Sequence, residues 1–203
     1  MAGTTTVQEF KGTDNLVYAE VTKDDSTGIE FGEVKILAPV AEISKTTETA
    51  SASHYYDNVP AIVINSEGSD EIKLKISALP LATLADITGK TIDSTTGALL
   101  DGERKPKYFA LGYRIGLTDG TSRFVWRYKG SFGIPAESSK TKDAGTDAEG
   151  QELTYTGIAT THKFTKTKSS QKAIVVDERD KKAKVDAFFD AVTTCDTIQA
   201  IGG

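Results

Sequence analysis

Glu71-Ile72-Lys73-Leu74-Lys75-Ile76-Ser77, followed after Ala78 by Leu79-Pro80-Leu81-Ala82-Thr83-Leu84-Ala85-Asp86-Ile87-Thr88-Gly89, holds two periodicities in succession. The first half alternates apolar and polar, so Ile72, Leu74 and Ile76 fall on one face of a strand and Lys73 and Lys75 on the other. The second half switches to helical spacing, with Leu81, Leu84 and Ile87 as the apolar positions of a short flanking helix. Pro80 suits the first helical position, and Gly89 suits the left-handed residue that ends a helix. A strand running into one short helix, in a chain that otherwise reads as strands, predicts a mainly β fold in which this helix covers the face of Ile72, Leu74 and Ile76.

With 203 residues the chain can bury one substantial core, and an all-β domain of this length need not be divided. The net charge of −5 has lysines and arginines scattered among acids, which leaves no basic footprint for nucleic acid. Cys195 is the single cysteine and there are two histidines, so neither an internal disulfide nor a zinc-type cluster is available. The polar start Met1 to Thr6 has no basic and apolar signal pattern, and no segment has the apolar length of a membrane span. These features predict a protein made in, and soluble in, a reducing cytoplasm, with no cofactor and no membrane partner.

Residues 1–14 are polar and Thr-rich, an expected N-terminal arm. Leu16 to Thr22 and Gly28 to Leu37 read as strands around the turn Asp24 to Thr27. The segment Lys45-Thr46-Thr47-Glu48-Thr49-Ala50-Ser51-Ala52-Ser53-His54 is small, polar and β-tolerant. Taken alone it reads as a loop, with a long hairpin ordered against a neighbouring molecule as the alternative. Asp119-Gly120 signals a two-residue hairpin turn within Tyr108 to Gly130. That register pairs Ile115 with Phe124, Tyr113 with Trp126 and Leu111 with Tyr128 on one face, leaving Arg114, Arg123, Arg127 and Lys129 on the other. Ser131 to Gln151 is a polar stretch longer than most loops. Leu153 to Phe164 reads as a strand of ambiguous facing and Ala173 to Val176 as a short buried strand. A helix capped by Asp180 then runs from Lys181 to about Thr193, with the stripe Val185, Phe188, Phe189, Val192.

No catalytic constellation emerges from these elements. Gly89-Lys90-Thr91 has the look of a phosphate-loop ending, but Leu84 stands where such a loop needs glycine, and Gly89 follows a helix instead of preceding one. His54 and His162 have no partners at metal-ligand spacing. Cys195 is distant in sequence from both. Asp177, Glu178 and Asp180 lack the glycine-centred loop of a calcium site and suit a turn with acidic charge at a helix start. An enzyme is therefore not expected.

The order of elements carries a resemblance. Asn15 to Thr22, then His54-Tyr55-Tyr56-Asp57-Asn58, then Ile72 to Gly89, then Tyr108 to Tyr113 and Phe124 to Tyr128, with the ending Val175-Val176-Asp177-Glu178 and Phe188-Phe189, resembles the major tail proteins of long, non-contractile-tailed bacteriophages of Gram-positive hosts. The resemblance runs from about Asn15 to Val192 and finds no counterpart for Ser131 to Gln151. It implies a tail-tube-type β-sandwich or half-open barrel flanked by one short α-helix, with a long hairpin loop, an N-terminal arm (1–14), a β domain (15–165) and a C-terminal strand-helix segment (166–203) packed on its own or a neighbouring subunit. It further implies a structural virion protein: hexameric rings of this chain stack into a tube, located in the virion tail and assembled in the host bacterial cytoplasm. Its implied partners are itself, a tape measure protein and tail-end proteins, with DNA passing through the lumen without sequence-specific binding.

Under that resemblance the segment first read as a loop becomes the candidate contact element between subunits or rings, comprising Lys45, Thr46, Thr47, Glu48, Thr49, Ser51, Ser53, His54, Tyr55 and Tyr56. The acidic balance also suits a conduit, because a wall that repels phosphate lets DNA slide. Competing readings are a monomeric β-sandwich binding module of adhesin or carbohydrate-binding type, and a tail terminator, distal tail or secretion-system tube protein of similar architecture.

Overall fold

The computed structural model describes residues 7–136 and 150–202, so the start of the expected arm and most of Ser131 to Gln151 lie outside the described residues. In chain order the strands are β1 (Phe10–Asp25), β2 (Gly28–Phe31), β3 (Lys35–Ile36), β4 (Val40–Tyr56) and β5 (Val59–Ile76), followed by the helix α1 (Leu81–Thr88). After it come β6 (Thr91–Ile92), β7 (Leu99–Leu100), β8 (Phe109–Leu117), β9 (Ser122–Phe132), β10 (Gln151–Ile158) and β11 (Ala173–Asp177). One antiparallel sheet runs β2-β1-β8-β9-β10-β5-β4, with β3 added to β1 and β11 to β9, while β6 and β7 form a separate ribbon. The sheet curls until β1 and β4 approach within 8 Å without pairing, which leaves a half-open barrel. The fold is thus mainly β with one short helix, as the alternation around Ile72 to Ile76 predicts.

The strand expected from Leu16 starts earlier. Phe10 pairs with Leu117, Thr13 with Ile115 and Asp14 with Arg114, so residues 10–14 belong to the sheet and not to an arm.

Two apolar layers hold the sheet, one on each face. Side chains from all the long strands meet in the first layer, which makes it the inside of the curl. It contains Tyr18, Ile72, Leu74, Ile76, Phe109, Leu111, Tyr113, Phe132, Leu153 and Tyr155, with Ile87 of α1. Lys73 and Lys75 point the other way, their side chains 70% and 56% exposed. The strand β10 resolves its ambiguous facing by putting Leu153, Tyr155 and Gly157 inward. Edge-on aromatic contacts knit the inside together: Phe132 meets Tyr155 at 5.1 Å and Tyr18 meets Phe109 at 5.8 Å on neighbouring strands, and Tyr18 reaches Phe132 at 6.3 Å across the intervening β8.

The second layer exists because the β8–β9 register differs from the expected one by one residue. The connection is a three-residue loop, Thr118 to Gly120, closed by Leu117 N–H to the Thr121 carbonyl at 2.9 Å and by Gly120 at φ +86°. Asp119 accepts from the Thr121 amide and hydroxyl, which favours this loop over a two-residue turn. Tyr113 therefore pairs with Val125, and Trp126 pairs with Gly112. A slip of one residue inverts every side chain, so Phe124, Trp126 and Tyr128 move to the outer face while Leu111 and Tyr113 stay inside. Gly112 is required there, because a Cβ would meet the Trp126 ring at 2.9 Å and Val17 at 2.8 Å. The four basic residues expected together on one face, turned to solvent or to a neighbouring subunit, each meet a carboxylate of their own chain: Arg114 with Asp14, Arg123 with Asp177, Arg127 with Asp70 and Lys129 with Asp24.

The C-terminal segment covers the outer layer, but it does so without the expected helix. Asp177 caps a single 3-10 turn at Glu178–Asp180, and Lys181 at φ +50° ends it where the helix was expected to begin. The chain then folds back on itself, with Ala183 bridged to Ala200 and Lys184 N–H bound to the Gln199 carbonyl. Thr193, Thr194 and Thr197 supply local side-chain to backbone hydrogen bonds that compete with helix formation, while Asp196 accepts from the distant amides of Thr165 and Lys166. The predicted stripe is nevertheless used: Phe188 and Val192 are buried, and Val185 and Phe189 pack beside them against Trp126 and Phe124. Trp126 Nε1 donates to the Phe188 carbonyl at 2.9 Å, and the Tyr128 hydroxyl accepts from the Cys195 amide at 3.1 Å. The strand β11 pairs with β9, so this segment packs on its own subunit.

The helix α1 sits as expected except at its first residue. Leu84, Ala85 and Ile87 are buried, whereas Leu81 is 51% exposed and covers nothing. Pro80 stands one position earlier than expected, at the N-cap and not as the first helical residue, with its carbonyl accepting from the Leu84 amide, and Gly89 ends the helix at φ +66° as expected. Asp86 tethers the helix to β1 and β3, accepting from Lys35 Nζ at 2.7 Å and the Tyr18 hydroxyl at 3.0 Å, with Lys107 Nζ at 3.4 Å. Burial pushes the Asp86 carboxyl up, but the Lys35 and Tyr18 hydrogen bonds and the neighbouring cationic charge hold it below its usual value.

Two outcomes follow from α1. A Cβ on Gly89 would stand 1.9 Å from the Lys105 carbonyl oxygen. Gly89→Ala is expected to lower unfolding free energy by at least about 2 kcal/mol in urea titrations read by tryptophan fluorescence. A carboxyl depressed by folding stabilises above its unfolded pKa of about 3.9 and loses that contribution as pH falls through the lower folded value. From about pH 5 to 3, wild-type urea midpoints should therefore fall more steeply than those of Asp86→Asn.

Candidate functional site

The hairpin β4–β5 has two halves with different physics. Its base belongs to the sheet: Val40 to Thr47 pairs with Asp70 to Ile76, and β10 covers the far edge of β5 up to the pair Gly157 and Asp70. Beyond Asp70 the two strands pair, among the described residues, only with each other, from Thr49 with Glu67 to Tyr56 with Val59. At about 3.4 Å per residue this ribbon projects roughly 25 Å past the core. The turn is Asp57-Asn58, at φ +51° and +64°, a left-handed pair that matches the twist of a two-residue hairpin. Asn and Asp tolerate this region better than other residues with side chains, and that dipeptide is the sequence signal that locates the turn.

Among the described residues nothing covers either face of the ribbon. Tyr55 and Tyr56 are 65% and 63% exposed, and Val59, Ile62, Val63 and Ile64 are each about half exposed or more. A free two-stranded ribbon is marginal in water, and a run of exposed apolar side chains marks an interaction site on a folded protein. The ribbon from Glu48 to Glu67 carries three acids and no lysine or arginine.

The expected contact residues divide between base and ribbon. Lys45, Thr46 and Thr47 lie at the base, where Thr46 pairs with Glu71 and the Thr47 hydroxyl donates to Asp70 at 2.8 Å. Lys45 Nζ donates to Thr47 Oγ1 at 2.6 Å. Glu48 leans over Gly68 and accepts from Ser69. Thr49, Ser51 and Ser53 line the free strand, and His54, Tyr55 and Tyr56 form its tip. The apolar half of the ribbon, Val59 to Ile64, is not among the expected contacts, although the uninterrupted apolar run Val59-Pro60-Ala61-Ile62-Val63-Ile64 is present in the sequence.

What fixes the ribbon's root is Asp70, 2% exposed. Its carboxylate accepts from Arg127 Nη1 at 2.9 Å and from Thr47, with Lys45 and Lys172 each at 3.7 Å. Lys172 also donates to the Gly68 carbonyl. One buried anion thus ties β4, β5, β9 and the segment before β11 together at the point where the sheet gives way to the ribbon. This node was not among the expected residues, since its partners are 23 to 102 positions away in the chain.

The residues weighed for chemistry stay apart. His54 is on the ribbon, while the His162 ring stacks edge-on to Phe164. Cys195 is partly buried beneath Tyr128, and burial followed by the Asp196 charge pushes its thiol up. Gly89 acts as a helix stop, and Lys90 pairs with Asp101. Among the described residues no group of three or more His, Cys, Asp and Glu could hold a metal, and no helix is long and apolar enough to cross a membrane. Neither a scan against protein-family models nor a search of curated proteins gives a match for this chain.

Removing one member of a buried ion cluster leaves the others desolvated and unpaired, which costs about 3–5 kcal/mol. Asp70→Ala should lose stability of that order in urea unfolding, whereas Glu71→Ala, one residue on and facing solvent, should lose less than about 1 kcal/mol.

Proposed function

We propose that this chain is a self-assembling structural protein of the major tail protein type, forming hexameric rings that stack into a tail tube through which DNA passes. The observation that carries the reading is the projecting ribbon: a rigidly rooted, two-stranded element with apolar side chains on a surface that the described residues of its own subunit leave uncovered. A chain with no assembly partner gains nothing from holding six large apolar side chains in water. A half-open barrel supports the same reading, since the outer edge of β4 is unpaired among the described residues and is a template for another strand. Repeated head-to-tail contacts close into rings when the rotation permits, and a second contact stacks rings. The net charge of −5 suits a conduit for DNA, and a tape measure protein and tail-end proteins are the partners such a tube needs. Assembly in the host cytoplasm and residence in the virion tail complete the proposal.

Concentrated purified protein should show rings or tubes by negative-stain microscopy. Replacing Ala50 to Ser66 by Asn-Gly should leave circular dichroism and Trp126 fluorescence native while abolishing those assemblies. A wild-type protein that sediments as a monomer at every concentration would favour the monomeric binding module and sink the proposal.

A further inference from the structure

The open side of the barrel holds a groove of about 500 Å³. Its apolar lining includes Phe10, Ile43, Tyr113, Ile115, Val125 and Val175. Tyr113 and Val125 are buried, while Phe10 and Val175 are 64% and 51% exposed. Its polar lining includes Lys45, Arg123 and Arg127 against Glu42. Asp70 and Asp177, which do not line the groove, engage all three cations from behind, Arg127 and Lys45 meeting Asp70 and Arg123 meeting Asp177. Arg127 Nε is buried without a hydrogen-bond partner among the described residues, and the Arg123 guanidinium lies 5.1 Å from the Phe10 ring.

We infer that this groove receives the ribbon tip of a second copy of the chain, Tyr55 and Tyr56 entering it with Asp57 toward its cationic rim. The inference rests on the assembly reading above and adds the surface that the ribbon binds. Two observations select this occupant. The ribbon from Glu48 to Glu67 carries three acids, no lysine or arginine and an apolar tip, while the groove shows the side chains of Lys45 and Arg123, 34% and 30% exposed in front of their acidic partners, over an apolar floor. The geometry also forbids a chain from serving itself. Ile43 of the groove and Tyr56 of the tip lie on the same strand β4, thirteen residues apart, so about 40 Å of extended backbone separates them. Two complementary surfaces held apart on one rigid strand can meet only between copies, and the contact they make is head-to-tail, the kind that propagates.

The test uses the full-length chain with Cys195→Ser as background. One batch carries Tyr56→Cys and another Val175→Cys, both at exposed positions. Mixed and mildly oxidised at assembling concentration, they should yield a disulfide-linked dimer that neither batch forms alone. On the otherwise native chain, Val175→Glu should lose assembly with its circular dichroism and tryptophan fluorescence unchanged. Assembly that persists without the mixed cross-link, while still requiring the ribbon, would overturn the groove as receiver and leave the assembly reading standing. Failure of the wild-type chain to assemble at all would overturn both. A cross-link that appears only after deletion of residues 1–6 would assign the groove to the chain's own N-terminal segment and overturn the proposal.

Discussion

A single buried carboxylate decides where this molecule ends and where its projection begins. Asp70 takes a hydrogen bond from Arg127 and one from Thr47, with two lysines close by, at the last point where β10 still covers β5. A buried ion pair seldom adds net stability over an apolar replacement, because desolvation offsets most of the attraction. Its value here is geometric. Four chain segments converge on one group, so the direction in which the ribbon leaves the sheet is set before anything binds it, and the ordering entropy of later contacts is reduced. Asp24 plays a parallel part on the other side of the sheet, accepting from Lys129 and from the amides of Thr161 and His162 to pin the loop that leads to β11. Burial acts to raise the Asp24 carboxyl, and those hydrogen bonds with the Lys129 charge more than reverse it.

The sheet supports such a projection because it is covered on both faces along its middle strands. Tyr18, Phe109, Phe132 and Tyr155 fill the inside, while Phe124, Trp126, Tyr128 and Phe188 fill the outside. The buried hydroxyls are used: Tyr155 donates to the Phe109 carbonyl at 2.8 Å, which links two strands with β9 between them. Toward β5 and β4 the outer cover stops, and Glu42, Lys73, Lys75 and Glu152 stand in solvent. The transition from two-sided to one-sided to uncovered strand follows the length of the hairpin and parallels its transition from structural to interactive.

Local periodicity made part of this legible. The alternation at Ile72 to Ile76, the stop at Gly89 and the facing of Lys73 and Lys75 were readable because each depends on neighbours in sequence. The β8–β9 register was not, since Asp119-Gly120 is compatible with loops of two or three residues and the choice inverts a whole strand. The stripe Val185, Phe188, Phe189 and Val192 correctly marked buried residues, but periodicity cannot distinguish a helix from a looped segment when hydroxyl side chains satisfy the backbone locally. Leu81 had the right spacing and the wrong place, one turn before the helix reaches the sheet. Asp70 and its partners gave no local signal at all, because a node built from four distant segments exists only after the fold has formed.

The free strand from Thr49 to Ser53 has one further consequence. Its side chains are small and nearly alike on both faces, Thr, Ala, Ser, Ala and Ser in turn. A strand whose two faces scarcely differ does little to select its own alignment against a partner, because sliding it exchanges one small residue for another at almost no cost in packing. Alignment must then come from the large groups at the end of the ribbon, which work as a peg while the stretch behind them adds reach without adding register. A joint built that way fixes distance at one point and tolerates shear along the rest, the mechanical behaviour of a flexible coupling and not of a weld.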